Sequence, residues 1–569
     1  MAKIDPSNLV EAFIGFPEGV NSGMDLLALK TTQCSNAVNL TFRGGIPRTR
    51  PSFVEIALTE QIEYTTFQGS AIYSLDSGDQ LVCVLDGKIY AIHLDTGISF
   101  CLTDIYNLPQ LTIPYGRAWF CQAEHFFIIQ DGESIPVIIE PGVSPRLSDI
   151  ANSEVPIGTI MAYGHGRLFL VPQWVGDEDG RRFFLAGDIM WPTQPNKLLK
   201  FIETQYLAGG GALSLPSEMG FITGLSFMKN TNTGDGSGAL VVFARGGASV
   251  FSVNAPRLTW QDIDISQVLF NTGGTVSPDS IIAVNSDLVF RGLDGIRSMM
   301  YSVSSAEVLS NVPISGAFGN KLDIDGESDL AYVYAGVWDN YMLMTTHRNG
   351  NFWQGMTVID LAPVTVMGQV MSPTSCGFWT ENGLHSLHKA RLGAYAGMVM
   401  ACQFEGHLRL LRADSSQSTS VPSRLYTGSF AFQSPFELKQ LLEATISISE
   451  VKVASDIELY FRPRGYTKWL LAGSVHIPVA SGYARIPLLN IPLQGPFGCD
   501  PLTGEDLAVS DDFQFCFIVN GNLKIDKFRA RCSLAPHGSR VIEQFTTGDF
   551  ETFPGVDLES SDFTYPTGE

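Results

Sequence analysis

Residues 81–85 (LVCVL) are apolar at every position, and residues 88–94 (KIYAIHL) follow after Asp86-Gly87. An Asp-Gly pair between two such runs predicts a tight primed turn, whose central residues take positive φ, and hence a β-hairpin. A half-exposed strand alternates apolar and polar residues. An unbroken apolar run needs cover on both faces, as when one small sheet stacks between two others. Asp95-Thr96-Gly97 then turns the chain again.

The unit recurs. Residues 126–129 meet Asp131-Gly132 before 135–139, residues 288–290 meet Asp294-Gly295, residues 341–344 run toward Asn349-Gly350, and Phe378-Trp379 precedes Asn382-Gly383 and Leu384. Looser copies are residues 167–170 ahead of Asp179-Gly180, and residues 240–243 around Gly246-Gly247. From Gly87 to Gly383 the turn marks fall roughly 35 to 65 residues apart, which overlaps the length of a four-stranded propeller blade. The pattern predicts an all-β chain with a β-propeller of six blades, or seven, over residues 56–400. One or two sandwiches would scatter similar hairpins.

Beyond Arg391 the texture changes. Residues 412–424 (RADSSQSTSVPSR) read as a linker or long loop. Leu442, Ala444, Ile446 and Ile448 then alternate with Glu443, Thr445, Ser447 and Ser449, and apolar runs follow at 457–461, 468–471, 483–487 and 513–519, with a turn at Asn520-Gly521. This predicts a C-terminal antiparallel β-sandwich-like domain of five to seven strands over 401–540. From Val541 onward there is no Lys or Arg but seven carboxylates. Residues 541–569 read as an extended acidic tail, disordered or lying along a neighbouring subunit. Residues 1–55 read as an N-terminal segment docked on the β-domains. The loosest internal loops are Gly209-Gly210-Gly211 and residues 229–238, and the glycine run lacks the Gly-Lys-Ser/Thr of a phosphate loop.

Composition sharpens the picture. Of 569 residues, 45% are hydrophobic and only 17% charged, against about 25% charged in ordinary soluble domains. Much apolar surface must be covered, part of it against other copies of the chain. No run has the length of a membrane helix and residues 1–6 do not resemble a secretory signal, so membrane insertion is not expected. The formal net charge of −22 argues against a conventional nucleic-acid binder and leaves DNA as passing cargo only. Nine cysteines without a C-x-x-C pair point to buried thiols such as Cys83, Cys121 and Cys516, and to a reducing compartment.

The N-terminal phrase CSNAVNLTFRGGIPRTRPSF, residues 34–53, places Arg43, Arg48 and Arg50 within eight residues of an acidic chain. They suit either a phosphate or nucleic-acid contact, or carboxylate pairs that staple the N-terminus to an acidic neighbour. The order Asn36, Asn39, Arg43, Gly45, then Arg50-Pro51, after a Gly-Val-Asn phrase at 19–21, resembles the start of tail nozzle proteins of short-tailed bacteriophages. These are also called tail tubular protein B or packaged-DNA stabilisation proteins. Gly166-Arg167 with Leu168-Phe169, followed by residues 187–192 (GDIMWP), resembles the family's middle segment. Arg462-Pro463 at the end of residues 458–463, with Lys468-Trp469 and residues 513–521, resembles its C-terminal β-domain. Ser52 departs from the glycine that usually follows Arg-Pro in the family, so the local turn differs if that glycine needs positive φ.

The resemblance implies a structural virion protein: a homohexameric ring in the virion tail, assembled in the bacterial host cytoplasm. It would sit below portal and adaptor, extend the DNA exit channel, and help retain and then release packaged DNA. The implied partners are other copies of the chain, the phage adaptor, and tail fibres or a needle. No catalytic residue, metal or cofactor is expected. Ser74-x-Asp76-x-Gly78 matches a structural turn of sialidase blades without being repeated, and Arg485-Ile486-Pro487 falls in the wrong domain for a sialidase arginine. His385-x-x-His388 lies on an expected strand and so points to opposite faces. Asp323-x-Asp325-Gly326 reads as a solvated turn with too few hard ligands for calcium. The rivals are a propeller that binds or hydrolyses cell-surface glycans, and a cytosolic scaffold.

Overall fold

The computed structural model describes residues 9–13, 15–111, 116–173, 182–191, 193–201, 213–229, 237–254, 260, 266–270, 273–284, 287–299, 313–362, 364–366, 369–371, 373–393, 395–414, 421–433, 435–479, 486–491, 493, 495, 497–500, 504, 506–534 and 554–559. Asp179-Gly180, Gly209-Gly210-Gly211, Arg485 and most of the acidic tail lie outside these. The described chain is all-β. Asp86 and Gly87 take positive φ of 48° and 79°, and Gln80–Leu85 pairs antiparallel with Lys88–His93 as the Asp-Gly turn requires. Residues 81–85 are each at most 1% exposed. Leu81, Cys83 and Leu85 pack on Val399, Ala401, Leu408 and Leu410, while Val82 and Val84 pack on Phe127 and Ile129. The run is unbroken because each of its faces has its own neighbour.

That alternation continues from sheet to sheet. The first sheet comprises Phe67–Tyr73, Gln80–Leu85, Lys88–His93 and Ser99–Cys101, and the second Trp119–Ala123, Phe126–Gln130, Val137–Glu140 and Val143–Leu147. The third contains Gly158–Gly164, Arg167–Pro172 and Leu185–Ala186; the fourth contains Ile222–Lys229, Ser237–Ala244, Ala248–Phe251 and Ser266–Phe270. The fifth contains Ile282–Val284, Asp287–Gly292 and Gly295–Ser298. Phe126 and Ile128 face the third sheet's Leu168 and Leu170. Phe169 and Val171 face the fourth sheet's Leu240 and Val242, and Val241 and Phe243 face the fifth sheet's Leu288 and Phe290. Each such side chain, fully buried, contributes about 1.5–3 kcal/mol.

The expected turn at Asn382-Gly383 does not form. Thr374–Leu392 is one continuous strand. Gly383, at φ +77°, bulges within it, and its missing Cβ leaves room for the Gln403 carbonyl. The strand therefore serves two sheets. Its first half pairs with Phe352–Asp360, beyond Tyr341–Asn349 and Ala335–Trp338, as the sixth sheet. Its second half pairs with Tyr395–Phe404, and then come His407–Asp414 and the N-terminal strand Ser52–Ile56 as the seventh. The first strand of each sheet touches the first strand of the next, except that Ile222–Lys229 touches the fifth sheet's second strand Asp287–Gly292, and Thr374–Leu392 touches Phe67–Tyr73. Residue 400, the expected boundary, falls inside Tyr395–Phe404.

The C-terminal part has two stacked layers. One is a seven-stranded sheet built on Lys439–Ser449 and Lys524–Leu534; the other contains Ser423–Phe430, Phe513–Asn520, Ser455–Pro463 and Leu470–Ile477. Ile446, Ile448, Phe528 and Ala530 share a core with Ile457, Leu459, Phe515 and Phe517. The N-terminal segment is woven into both layers. Leu9–Phe13 pairs with Lys524–Leu534, and Gln33–Val38 runs between Thr374–Leu392 and Ser423–Phe430. Leu442 departs from the expected alternation: a register shift between Leu441 and Glu443 turns Leu441 inward and leaves Leu442 39% exposed. The described piece of the tail, 554–559, lies on its own domain, with Val556 bridging to Trp469 and Leu558 buried beside Tyr426.

Gly377 marks the closest approach between the N-terminal segment and the shared strand. It has φ +82°, and a Cβ there would stand 2.0 Å from the Ala37 carbonyl oxygen. Gly350, at φ +63°, has open space around the same position. Gly350→Ala should therefore cost only the left-handed backbone penalty, about 1–2 kcal/mol. Gly377→Ala adds a backbone clash and should cost about 3 kcal/mol or more in chemical denaturation; equal losses would mean the close approach is wrong.

Candidate functional site

The N-terminal motif residues converge at the seam between the seven-sheet series and the C-terminal layers. Asn39 sits between Gln33–Val38 and Leu40–Thr41 with φ +57°, a conformation asparagine tolerates better than most residues. Its Oδ1 accepts from the Thr380 amide and from Arg50 Nε, both at 2.9 Å. Its Nδ2 donates to Thr380 Oγ1 at 2.9 Å and to the Pro422 carbonyl at 2.8 Å. Arg50, whose side chain is 1% exposed, donates from Nη2 to the Thr380 carbonyl and from Nη1 to the Pro51 carbonyl, each at 3.0 Å. Glu381 lies 3.6 Å away, and the guanidinium stacks 4.0 Å from the Phe53 ring centre. Burial raises the Glu381 pKa, and Arg50 partly offsets this.

The other two arginines also end on carboxylates. Arg43 makes a two-pronged bond to Asp360, 3.1 Å on each prong, reaches Asp339 at 2.8 Å, and lies over Tyr341. Burial opposes its charge, but Asp360, Tyr341 and Asp339 together outweigh that and hold its pKa above the usual arginine value. Arg48 pairs with Glu450 at 2.5 Å. Of the two readings of this cluster, the stapling one describes these contacts. Gly45, at φ +80°, lies against Pro17 and accepts from the Phe16 amide at 2.7 Å. Asn36 is buried in register with Tyr426.

The remaining motif residues lie elsewhere. Gly166 forms a hairpin turn with His165, both at positive φ, and Arg167 Nη1 donates to the Gly187 carbonyl at 2.9 Å. Arg462 stacks 4.4 Å from the Trp469 ring centre, donates to Gln514 at 2.6 Å and meets Glu559 at 3.2 Å. Pro463 ends that strand opposite Phe513. Arg462 and Pro463 line an open groove of about 770 Å³ together with Arg464, Asp512 and Asp557. The three motif groups thus form three separate fastenings.

Sequence reasoning missed a smaller cavity of about 200 Å³, where lead-in residues of the first, second and sixth sheets meet the shared strand. Arg117 bonds Asp279 and the Ala331 carbonyl at its wall. Arg348 lies 4.1 Å over the Tyr332 ring. Asp325 was expected to be a solvated turn. Instead its carboxylate accepts from the His347 and Arg348 amides at 3.0 and 2.9 Å, anchoring this hairpin. His385 stacks on Phe67, centroids 4.4 Å apart and planes 5° from parallel, while His388 Nε2 is 2.7 Å from Ser70 Oγ. Burial pushes their pKa values down to about 3 and about 4. Among the described residues, no three His, Cys, Asp or Glu side chains gather as a metal cluster.

Asn39→Ala strips the Thr380 amide, Arg50 Nε and the Pro422 carbonyl of one partner at once, so it should destabilise by about 2–4 kcal/mol. A double-mutant cycle with Thr380→Val should be non-additive by about 1 kcal/mol or more, because both substitutions break one network. The histidines give a pH signature. Their folded pKa values lie below the unfolded value of about 6.5, so falling pH protonates the unfolded chain first. Their stabilising contribution is complete above pH 6.5 and is lost as pH falls toward 4. The denaturation free energy of His388→Gln should therefore fall less steeply than that of the unsubstituted chain, by about 1.4 kcal/mol per pH unit between pH 6 and 4.5.

No protein-family model matches the chain, and no curated protein matches it. Among solved structures, a protein described as the extracellular domain of a one component system from B. thetaiotaomicron is 9% identical, covering 77% of this chain and 47% of its own, with a TM-score of 0.34. PorZ, a bacterial surface component of the type-IX secretion system of Porphyromonas gingivalis, is 8% identical over 78% of this chain and 55% of its own, TM-score 0.33. A glycoside hydrolase family 43 arabinoxylan arabinofuranohydrolase from Bacillus subtilis is 9% identical over 82% and 96%, TM-score 0.25. The chain spans about half the length of the first two. Likenesses this weak carry no argument about what the chain does.

Proposed function

We propose that the seven sheets are the blades of a closed β-propeller, and that the chain is a tail nozzle subunit of a short-tailed bacteriophage. Six copies would form a ring below portal and adaptor, bounding the channel through which DNA passes. The observation that carries the reading is the Asn39–Arg50–Thr380 seam. The N-terminal residues of the family resemblance fasten propeller and C-terminal layers into one body, as a ring segment under tension needs. Apolar side chains left at the surface, among them Phe436 at 91% exposed, Phe404 at 56% and Trp191 at 55%, supply material for contacts between copies. The −22 charge would let DNA slide through the ring without adhering.

Mass photometry of the purified chain, alone and with the phage's adaptor ring, tests this. The expected particle has about six times the 62.0 kDa mass of one chain, and electron-microscope averages should show sixfold symmetry. A monomer under both conditions that releases sugar from a capsular polysaccharide would overturn the assignment in favour of a glycan-active propeller.

A further inference from the structure

Residues 554–559 (PGVDLE) follow the last strand of the body, Lys524–Leu534, only after residues 535–553, yet they sit in a built socket. The Val556 amide and carbonyl bond the Trp469 carbonyl and amide at 2.9 and 2.8 Å. This adds one residue pair beside the start of Leu470–Ile477, the outermost strand of its sheet. Leu558, 8% exposed, fills a pocket with Tyr426, Trp469, Cys516 and Ile518. Its carbonyl accepts from Arg424 Nη1 at 3.0 Å and from the Tyr426 hydroxyl at 3.3 Å, and the Pro554 carbonyl accepts from the Tyr466 hydroxyl at 2.8 Å. Glu559 meets Arg462 at 3.2 Å. Gly555, at φ +110°, is needed for the fit, because a Cβ there would stand 2.7 Å from the Trp469 carbonyl oxygen.

Backbone pairing at a sheet edge plus one side-chain pocket is a way in which proteins hold extended peptides. Charge agrees with it: the segment brings Asp557 and Glu559 and no cation, and the socket brings Arg424 and Arg462. None of these contacts depends on the connection through 535–553, so the same segment of a second copy would make the same ones. Those 19 residues extend to about 60 Å, long enough for a neighbour's socket as well as their own. With equal contacts, effective concentration decides which copy fills the socket, and exchange of an identical element is a low-cost route to association. We propose that, when copies associate, the Trp469–Tyr426 socket of one copy takes residues 554–559 of a second, so that exchanged tails strap neighbours together. This rests on copies associating, and not on their number or on the phage assignment.

Photocross-linking of the full-length chain, with p-benzoylphenylalanine in place of the 46% exposed Val556, provides the test. The chain is irradiated over a concentration series up to its solubility limit and run on denaturing gels. The expected product has twice the 62.0 kDa chain mass, grows with concentration, and maps by mass spectrometry to residues 466–470 of the other copy. Leu558→Asp should lower its yield about ten-fold or more, the factor in occupancy that a buried leucine is worth. If a thermal melt shows that this variant does not fold, an excess of a synthetic peptide of residues 552–561 takes its place as the competitor, with the same expected loss. Single-mass product alone at every concentration would overturn the exchange, as would a double-mass product that the substitution or the peptide leaves unchanged. A sixfold ring giving only single-mass product strikes this inference and leaves the nozzle reading standing; exchanged tails in a particle without sixfold symmetry do the reverse.

Discussion

The middle strands of the small sheets are apolar on both faces, and a strand of that kind has no solvent-tolerant side. Val82 and Val84 look one way while Leu81, Cys83 and Leu85 look the other, and both sets are sealed. A sheet built on such strands is stable only between two others. An open stack of them would always leave two greasy ends. In the described chain Thr374–Leu392 lies against Phe67–Tyr73, so the last sheets of the series touch the first. The high apolar and low charged content of the sequence follows from that geometry.

That contact is made by one strand that belongs to two sheets and abuts a third element. The bulge at Gly383 lets Thr374–Leu392 change partners from Phe352–Asp360 to Tyr395–Phe404 without breaking, and Gly377 lets the N-terminal segment lie beside it. Thr380 falls between these two glycines. Its amide, hydroxyl and carbonyl all bond Asn39 or Arg50. A buried guanidinium is costly unless its donors are met. Here backbone carbonyls, an amide oxygen and an aromatic face meet them, so the seam is specific as well as tight.

Much of the sheet series was legible because its signals are local. Asp86-Gly87 marks a hairpin whose two turn residues both take positive φ, and Asn349-Gly350 marks another, in which Asn349 ends the strand and Gly350, at positive φ, opens the turn. The same dipeptide misled at Asn382-Gly383, because positive φ serves a bulge as well as a turn, and only the partner strand decides between them. Ser52–Ile56 could not be placed with the seventh sheet, because its partner His407–Asp414 is remote in sequence. The pairing of Arg43, Arg48 and Arg50 with carboxylates was one of two readings open in the sequence, and Asp360, Asp339 and Glu450 fill that role. The Arg348–His385 cavity carried no legible signal: its walls come from segments that share no spacing rule.

The N-terminal strand that completes the seventh sheet sets a timetable for biogenesis. Ser52–Ile56 leaves the ribosome early and must wait for His407–Asp414. At about 5–20 residues per second that interval is on the order of tens of seconds. Until then, an unpaired edge and an uncovered sheet face are open to other nascent chains. A polypeptide closed in this way gains from chaperone shelter during translation. Once latched, it is hard to peel apart, because Leu9–Phe13 and Lys524–Leu534, remote in sequence, pair within the same finished body.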